Sequence, residues 1–177
     1  MWDSAIVLSK LLEKRAEALA RGRSAVELGA GCGLLSLVLS HLGARVTVTD
    51  LECNLPLLRD NVTSNGSNVE VQALSWGAEN ARRVRRERNG GLPFDVIVAS
   101  DVMYIPDCVP VLVATLKELC GKYTDVFLAY GRNRTAEESF LLAAERAGFT
   151  VTTLEAEELH EVYNCLDVTV LKLKLLR

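Results

Sequence analysis

Residues 26–33 read Val26-Glu27-Leu28-Gly29-Ala30-Gly31-Cys32-Gly33, an apolar run that breaks into glycines at alternate positions and passes into a helical pattern over 33–42. Glycine has no Cβ, so such a loop can turn tightly and let a ligand approach the backbone. Amides at the start of the following helix can also face an anionic group. Asp50 closes the next apolar run, twenty-one positions after Gly29. A carboxylate there can accept two hydrogen bonds from ribose hydroxyls. Loop and acid together imply a cofactor that contains a nucleoside. The dinucleotide fingerprint would place a third glycine at position 34, where this chain has Leu34. The G-x-G-x-G spacing favours S-adenosylmethionine over NAD.

Working outward, apolar runs and helical patterns alternate along the whole chain, the signature of a parallel sheet covered by helices on both faces. A helix is predicted over 3–20, carried by Ile6, Leu8, Leu11, Leu12, Ala16 and Leu19, with Asp3 or Ser4 as its cap. Strands are predicted at Ala25–Leu28, Arg45–Thr49, Val69–Leu74, Phe94–Ser100, Asp125–Tyr130, Thr150–Leu154 and Val168–Leu173. Helices are predicted at 33–42, 54–65, 108–120 and 135–147, with Gly66 and Gly148 as stops. The last two strands have no clear helix between them. The expected fold is therefore α/β: a doubly wound, Rossmann-like, seven-stranded sheet whose last strand is antiparallel, the outline of a class I methyltransferase. Ligands of such sheets bind at the carboxyl ends of the strands, where strand order reverses.

The 177 residues, 49% hydrophobic and 24% charged, suit one domain over 1–177. A net charge of -3 gives no overall positive field for nucleic acid. Five cysteines without C-x-x-C or Cys/His spacing read as reduced thiols, not disulfides or zinc ligands. No metal site is expected. The longest uncharged stretch, Leu28 to Ala44, is too short and too glycine-rich for a membrane span. No signal peptide is visible, so cytoplasm or nucleus is the expectation. A monomer is the default.

The fourth predicted strand ends in Ile97-Val98-Ala99-Ser100-Asp101-Val102-Met103-Tyr104. In the proposed sheet it lies beside the glycine-loop strand, which would aim Asp101 and Tyr104 at the reactive end of the cofactor. Methyl transfer from a sulfonium needs an in-line nucleophile with a free lone pair. A lysine amine, with a reference pKa of about 10.4, must be desolvated, deprotonated and held in line. A carboxylate and a phenol suit that task; a turn-starting Asp with a packed Tyr is the other reading. Trp76 follows the third strand, where an indole can border an adenine or simply close the core. Ser100 lies beside the cofactor because it precedes Asp101. Glu27 orients the loop, bonds a cofactor amine, or is a satisfied buried carboxylate. Trp2 is ambiguous on spacing.

Met1-Trp2-Asp3-Ser4-Ala5, Glu27-Leu28-Gly29-Ala30-Gly31, Ser75-Trp76-Gly77 and Asp101-Val102-Met103-Tyr104, in that order, resemble the lysine methyltransferases of methyltransferase family 16, nearest the methyltransferase-like 21 group. The resemblance runs along essentially the whole chain. It implies S-adenosylmethionine contacts from Trp2, Gly29, Ala30, Gly31, Asp50, Trp76 and Ser100, with S-adenosylhomocysteine as product, and a lysine pocket shaped by Asp101 and Tyr104. It also implies a protein substrate presenting a lysine, in the way that relatives act on a chaperone (Hsp70), an AAA ATPase (valosin-containing protein) or elongation factor 1A. Two departures stand out: the family usually has residues ahead of the W-D segment, so an upstream stretch is expected to be missing, and Cys32 replaces a common threonine.

Arg82, Arg83, Arg85, Arg86 and Arg88 crowd one segment that should run away from the catalytic rim, as a solvated helix face or loop, or as a docking patch. Glu155, Glu157, Glu158 and Glu161 fall between the last two strands, where an acidic margin would attract a lysine-bearing surface; a flexible polar loop is the other reading. Methylation of a nucleobase or small-molecule amine remains an alternative, although its usual D-P-P-Y loop is replaced here by D-V-M-Y. A cofactor- or partner-binding module without turnover is another. An NAD oxidoreductase is disfavoured by Leu34.

Overall fold

The computed structural model describes residues 2–131 and 135–176. Its seven strands are β1 (Ser24–Leu28), β2 (Arg45–Asp50), β3 (Glu70–Ala73), β4 (Val96–Ser100), β5 (Asp125–Gly131), β6 (Phe149–Thr153) and β7 (Val168–Leu175). They form one sheet in the order β3-β2-β1-β4-β5-β7-β6. All pairings are parallel except those of β7, which runs antiparallel to both β5 and β6. The seven-stranded, doubly wound architecture read from the sequence is thus the one found, with strand ends moved by a residue or two.

Covering both faces are α1 (Asp3–Lys14), the short α2 (Ala16–Leu19), α3 (Leu34–His41), α4 (Leu55–Ser64), α5 (Ala78–Asn89), α6 (Val109–Leu119) and α7 (Glu137–Arg146). Strand residues alternate between two cores, because successive side chains point to opposite faces. Val26, Leu28, Ile97, Ala99 and Leu128 pack under α5, α6 and α7. Ala25, Val96, Val98, Phe127 and Ala129 pack under α1, α3 and α4. Every residue of β1 is buried, as expected of a central strand covered on both sides. Strand order reverses between β1 and β4, and that switch point fixes the ligand crevice at the carboxyl ends of these two strands.

Three local features differ from, or sharpen, the sequence reading. The single helix predicted over 3–20 breaks at Arg15 (φ -114°, ψ 25°), whose guanidinium pairs with Glu158 at 3.2 Å. The arginine-rich segment is a helix, α5, which buries Ala81 and Val84. Arg82 and Arg85 both bond the Glu118 carboxylate of α6, and Arg88 reaches Gln72 and Glu70. Most of this charge is therefore occupied in holding helix to helix and helix to strand. Finally, the acidic stretch after β6 is partly built into the fold, while Glu157 and Glu161 stay exposed. Glu155 and Glu158 cap the short turn they flank, and Lys14 bonds the carbonyl of Leu159 at 2.6 Å, which ties the turn to the far end of α1.

Candidate active site

At the switch point opens a cleft of about 770 Å³. Trp2, Glu27, Gly29, Ala30, Gly31, Asp50, Trp76, Ser100, Asp101 and Tyr104 all line it, so every residue read from the sequence as catalytic or cofactor-binding lies on one cavity. The acidic turn after β6 contributes nothing to that lining.

The glycine loop joins β1 to α3, with Gly29, Gly31 and Gly33 all at positive φ (63°, 55° and 82°). A Cβ at Gly29 would stand 3.0 Å from Val102 Cγ1 and 3.4 Å from Trp76 Cζ2, whereas one at Gly31 would meet nothing within 4 Å. Gly29 therefore lets the loop pack against the β4 elbow, and Gly31 leaves the cleft clear. The expectation of free loop amides is corrected in part. Ala30 donates to the Thr49 carbonyl (3.0 Å), Gly33 to the Ala30 carbonyl (2.8 Å), and Gly31 to Asp50 Oδ2 (2.6 Å). These three amides are consumed in shaping the loop, which makes room for a ligand more than it donates to one.

Asp50 is 7% exposed at the end of β2. Its Oδ1 accepts the amide of Leu51 (2.7 Å) and the side-chain amide of Asn54 (2.8 Å), while Oδ2 accepts Gly31. A carboxylate has about four lone-pair positions, so Oδ2 retains capacity for a ribose hydroxyl. Asn54, which the sequence reading passed over, fixes the carboxylate for that purpose; an amide four residues after a strand-ending acid was the available signal.

Glu27 is fully buried, and burial pushes its carboxyl up to about 7, partly offset by bonding to Ser36. Its Oε2 accepts the Ser36 amide at 2.8 Å. Glu27 thus braces α3, as a satisfied buried carboxylate would, and it also lines the cleft. Trp76 likewise packs against the core and borders the cleft. Trp2 stands at the N-cap of α1, 68% exposed over the rim.

On the opposite wall, Asp101 follows β4 at φ 53°, the one positive-φ non-glycine among the described residues. Left-handed angles in a non-glycine residue are strained, and such strain gathers at functional sites. Its Oδ1 accepts the Gly131 amide (3.2 Å), and Oδ2 accepts the Ser4 hydroxyl. Tyr104, 59% exposed, closes the same wall. The cleft thus offers room for a nucleoside, an acceptor for its ribose, a buried acid for a cationic amine, and a carboxylate and phenol at the far end. These features fit S-adenosylmethionine. Among the described residues no cluster of three or more His, Cys, Asp or Glu side chains is placed to hold a metal ion.

The sequence profile of a lysine methyltransferase family, methyltransferase family 16, matches residues 1–147. The chain belongs to that family. Mouse protein N-lysine methyltransferase METTL21A is 37% identical over 168 residues, which is 92% of this chain and 73% of the mouse protein. EEF1A lysine methyltransferase 3 of Xenopus tropicalis is 34% identical over 132 residues, 73% of this chain and 55% of that protein. The chain thus spans only part of the length of each of these relatives. A TehB-like SAM-dependent methyltransferase from Corynebacterium glutamicum shares the fold, with a TM-score of 0.70 at 19% identity, over 99% of this chain and 89% of that one. For a family 16 lysine methyltransferase the cofactor is S-adenosylmethionine, and its members named here are protein-lysine methyltransferases. No helix among the described residues is long and apolar enough to cross a membrane.

Proposed function

We propose that this chain transfers a methyl group from S-adenosylmethionine to a lysine ε-amine on a protein partner. The observation that carries the reading is convergence: the nucleoside-suited wall and the Asp101–Tyr104 wall face one cleft in a member of a lysine methyltransferase family. S-adenosylmethionine supplies an electrophilic methyl carbon on a sulfonium and leaves as the thioether S-adenosylhomocysteine.

The residues act as follows. Gly29, Ala30 and Gly31 give the cofactor clearance, Asp50 accepts from its ribose, Trp76 and Ser100 border it, and Trp2 covers it from the rim. Glu27 balances its cationic amine. Asp101 accepts an N–H of the lysine amine and Tyr104 walls the side chain, holding the nitrogen lone pair toward the methyl carbon. The amine sheds its proton to solvent as it leaves water, because desolvation and the neighbouring positive charge both favour the neutral form.

Residues 1–177 act as one domain, as a monomer. The partner is a protein: an elongation factor, of the kind in the name of the EEF1A lysine methyltransferase relatives, or, by the family resemblance, a chaperone or AAA ATPase. All five cysteines are unpaired, which suits a reducing compartment, the cytoplasm or nucleus. Incubation with tritiated S-adenosylmethionine and cell lysate tests the reading. A labelled protein band carrying methyl-lysine is expected from the native chain and none from Asp101→Ala. Label confined to RNA or small molecules would overturn it.

A further inference from the structure

The Ser4 hydroxyl lies in the first turn of α1, 97 residues from Asp101, yet donates to its carboxylate. Ser4 is 1% exposed and Asp101 is 8% exposed, so the contact is buried. We propose that Ser4 is a positioning residue for methyl transfer, acting through Asp101. The inference rests on the functional reading above.

The argument begins with the freedom of a carboxylate. The terminal torsion of Asp is broad and roughly two-fold, so a carboxylate held at one oxygen can still swing its plane. Here each oxygen has a donor from a different element: Gly131 at the end of β5 holds Oδ1, and Ser4 at the start of α1 holds Oδ2. Two anchors on opposite oxygens fix the plane, and with it the direction of the lone pairs that face the cleft. An amine must be held with its own lone pair in line with the methyl carbon, and misplacement by about 1 Å costs up to ~100-fold in rate.

Backbone strain adds a second reason for anchoring. Asp101 sits at φ 53°, a conformation that persists only where its surroundings determine it. Ser4 joins this strained residue to a helix whose N-cap is Trp2, the residue that stands over the rim. The Ser4 hydroxyl is therefore the anchor that ties the carboxylate to the helix at the lip of the cleft. Alanine would fit the same buried volume and preserve the helix but donate nothing to Asp101.

Ser4→Ala and Ser4→Cys test the proposal, measured with tritiated S-adenosylmethionine and lysate protein as methyl acceptor. Ser4→Ala is expected to lower apparent turnover roughly 10- to 100-fold, with the apparent KM for S-adenosylmethionine and the Kd for S-adenosylhomocysteine within about twofold of the native values, a split that loss of folding would not give. Ser4→Cys, a weak donor of nearly the same shape, should fall between the two. Native turnover in Ser4→Ala, or turnover and cofactor affinity falling together, would overturn the positioning role. Absence of label with the native chain as well would overturn the functional reading itself.

Discussion

The carboxylate of Asp50 and the main-chain amide of Gly31 meet at 2.6 Å, joining the end of β2 to the middle of the glycine loop. One side chain therefore shapes the loop and faces the ligand. Asp50→Ala would strand the Gly31 and Leu51 amides as well as remove the ribose acceptor. Hydrogen bonds to a charged group contribute about 1.5–3 kcal/mol each. Affinity for S-adenosylhomocysteine should drop by roughly 10- to 100-fold or more, and unfolding in urea should show a loss of about 2 kcal/mol. Calorimetry and denaturation would check both parts.

Glu27 gives a pH signature. Its carboxyl is raised from 4.5 to about 7 by burial, so between those pH values the folded chain holds a proton there that the unfolded chain has released. The contribution of this group to stability is complete below the unfolded value and is lost as pH rises through the folded one. Glu27→Gln stays neutral throughout. In the absence of cofactor it should match the native chain in acid and exceed it by about 1–3 kcal/mol above pH 7. Its affinity for S-adenosylmethionine should nevertheless be weaker, because the counter-charge to the amine is gone. Urea melts across the pH range, with and without cofactor, would show the crossover.

Two alanine substitutions in the loop should fail for different reasons. At both Gly29 and Gly31 a side chain meets a left-handed backbone, a cost of about 1–2 kcal/mol. At Gly29 the new methyl also presses Val102 at 3.0 Å, so Gly29→Ala should be the less stable protein. At Gly31 the methyl enters open space lined by the cleft, so Gly31→Ala should lose cofactor affinity out of proportion to its stability. Thermal melts paired with S-adenosylhomocysteine titrations separate the two.

Asp101→Asn and Asp101→Ala should both lose methyl transfer by at least about 100-fold while binding S-adenosylhomocysteine within about threefold of the native chain. They should differ in stability. Asn tolerates left-handed angles, whereas Ala at φ 53° pays the strain and leaves the Ser4 hydroxyl and Gly131 amide without their acceptor. A larger drop in melting temperature for the alanine variant is the expected outcome.

Both tryptophans of the chain, Trp2 and Trp76, line the cleft. Intrinsic emission should therefore change on addition of S-adenosylhomocysteine without any label. Trp2→Phe should retain the part of the signal that arises at Trp76, and the double Phe variant should lose it all; an unchanged native spectrum at saturation would contradict the placement of cofactor between them.

The sheet was legible in the chain because buried parallel strands are short apolar runs and the helices between them repeat at another period. Even the antiparallel β7 could be read, from the lack of a helix before it. The break at Arg15 was not legible, since Ala16 and Leu19 continue the helical pattern beyond it, and only the Arg15–Glu158 pair and the Lys14–Leu159 bond show what holds the chain there. In the acidic run after β6, composition does not reveal that Glu155 and Glu158 cap a short turn while Glu157 and Glu161 stay exposed.

By itself the sequence determined the order of the strands and most helices, though not α5, together with the glycine loop and the acids at strand ends, because periodicity, turn chemistry and short motifs are local properties of the chain. Only the tertiary structure decided which donors those acids receive. Asp50 is held by Gly31 and Asn54, and Asp101 by Ser4 and Gly131. The Asp101 partners lie 97 and 30 residues away along the chain, distances across which no pattern in the sequence specifies a hydrogen bond. They meet because the sheet sets β4 beside β5 and lays α1 across both, and packing, not local preference, brings a buried hydroxyl to a buried carboxylate.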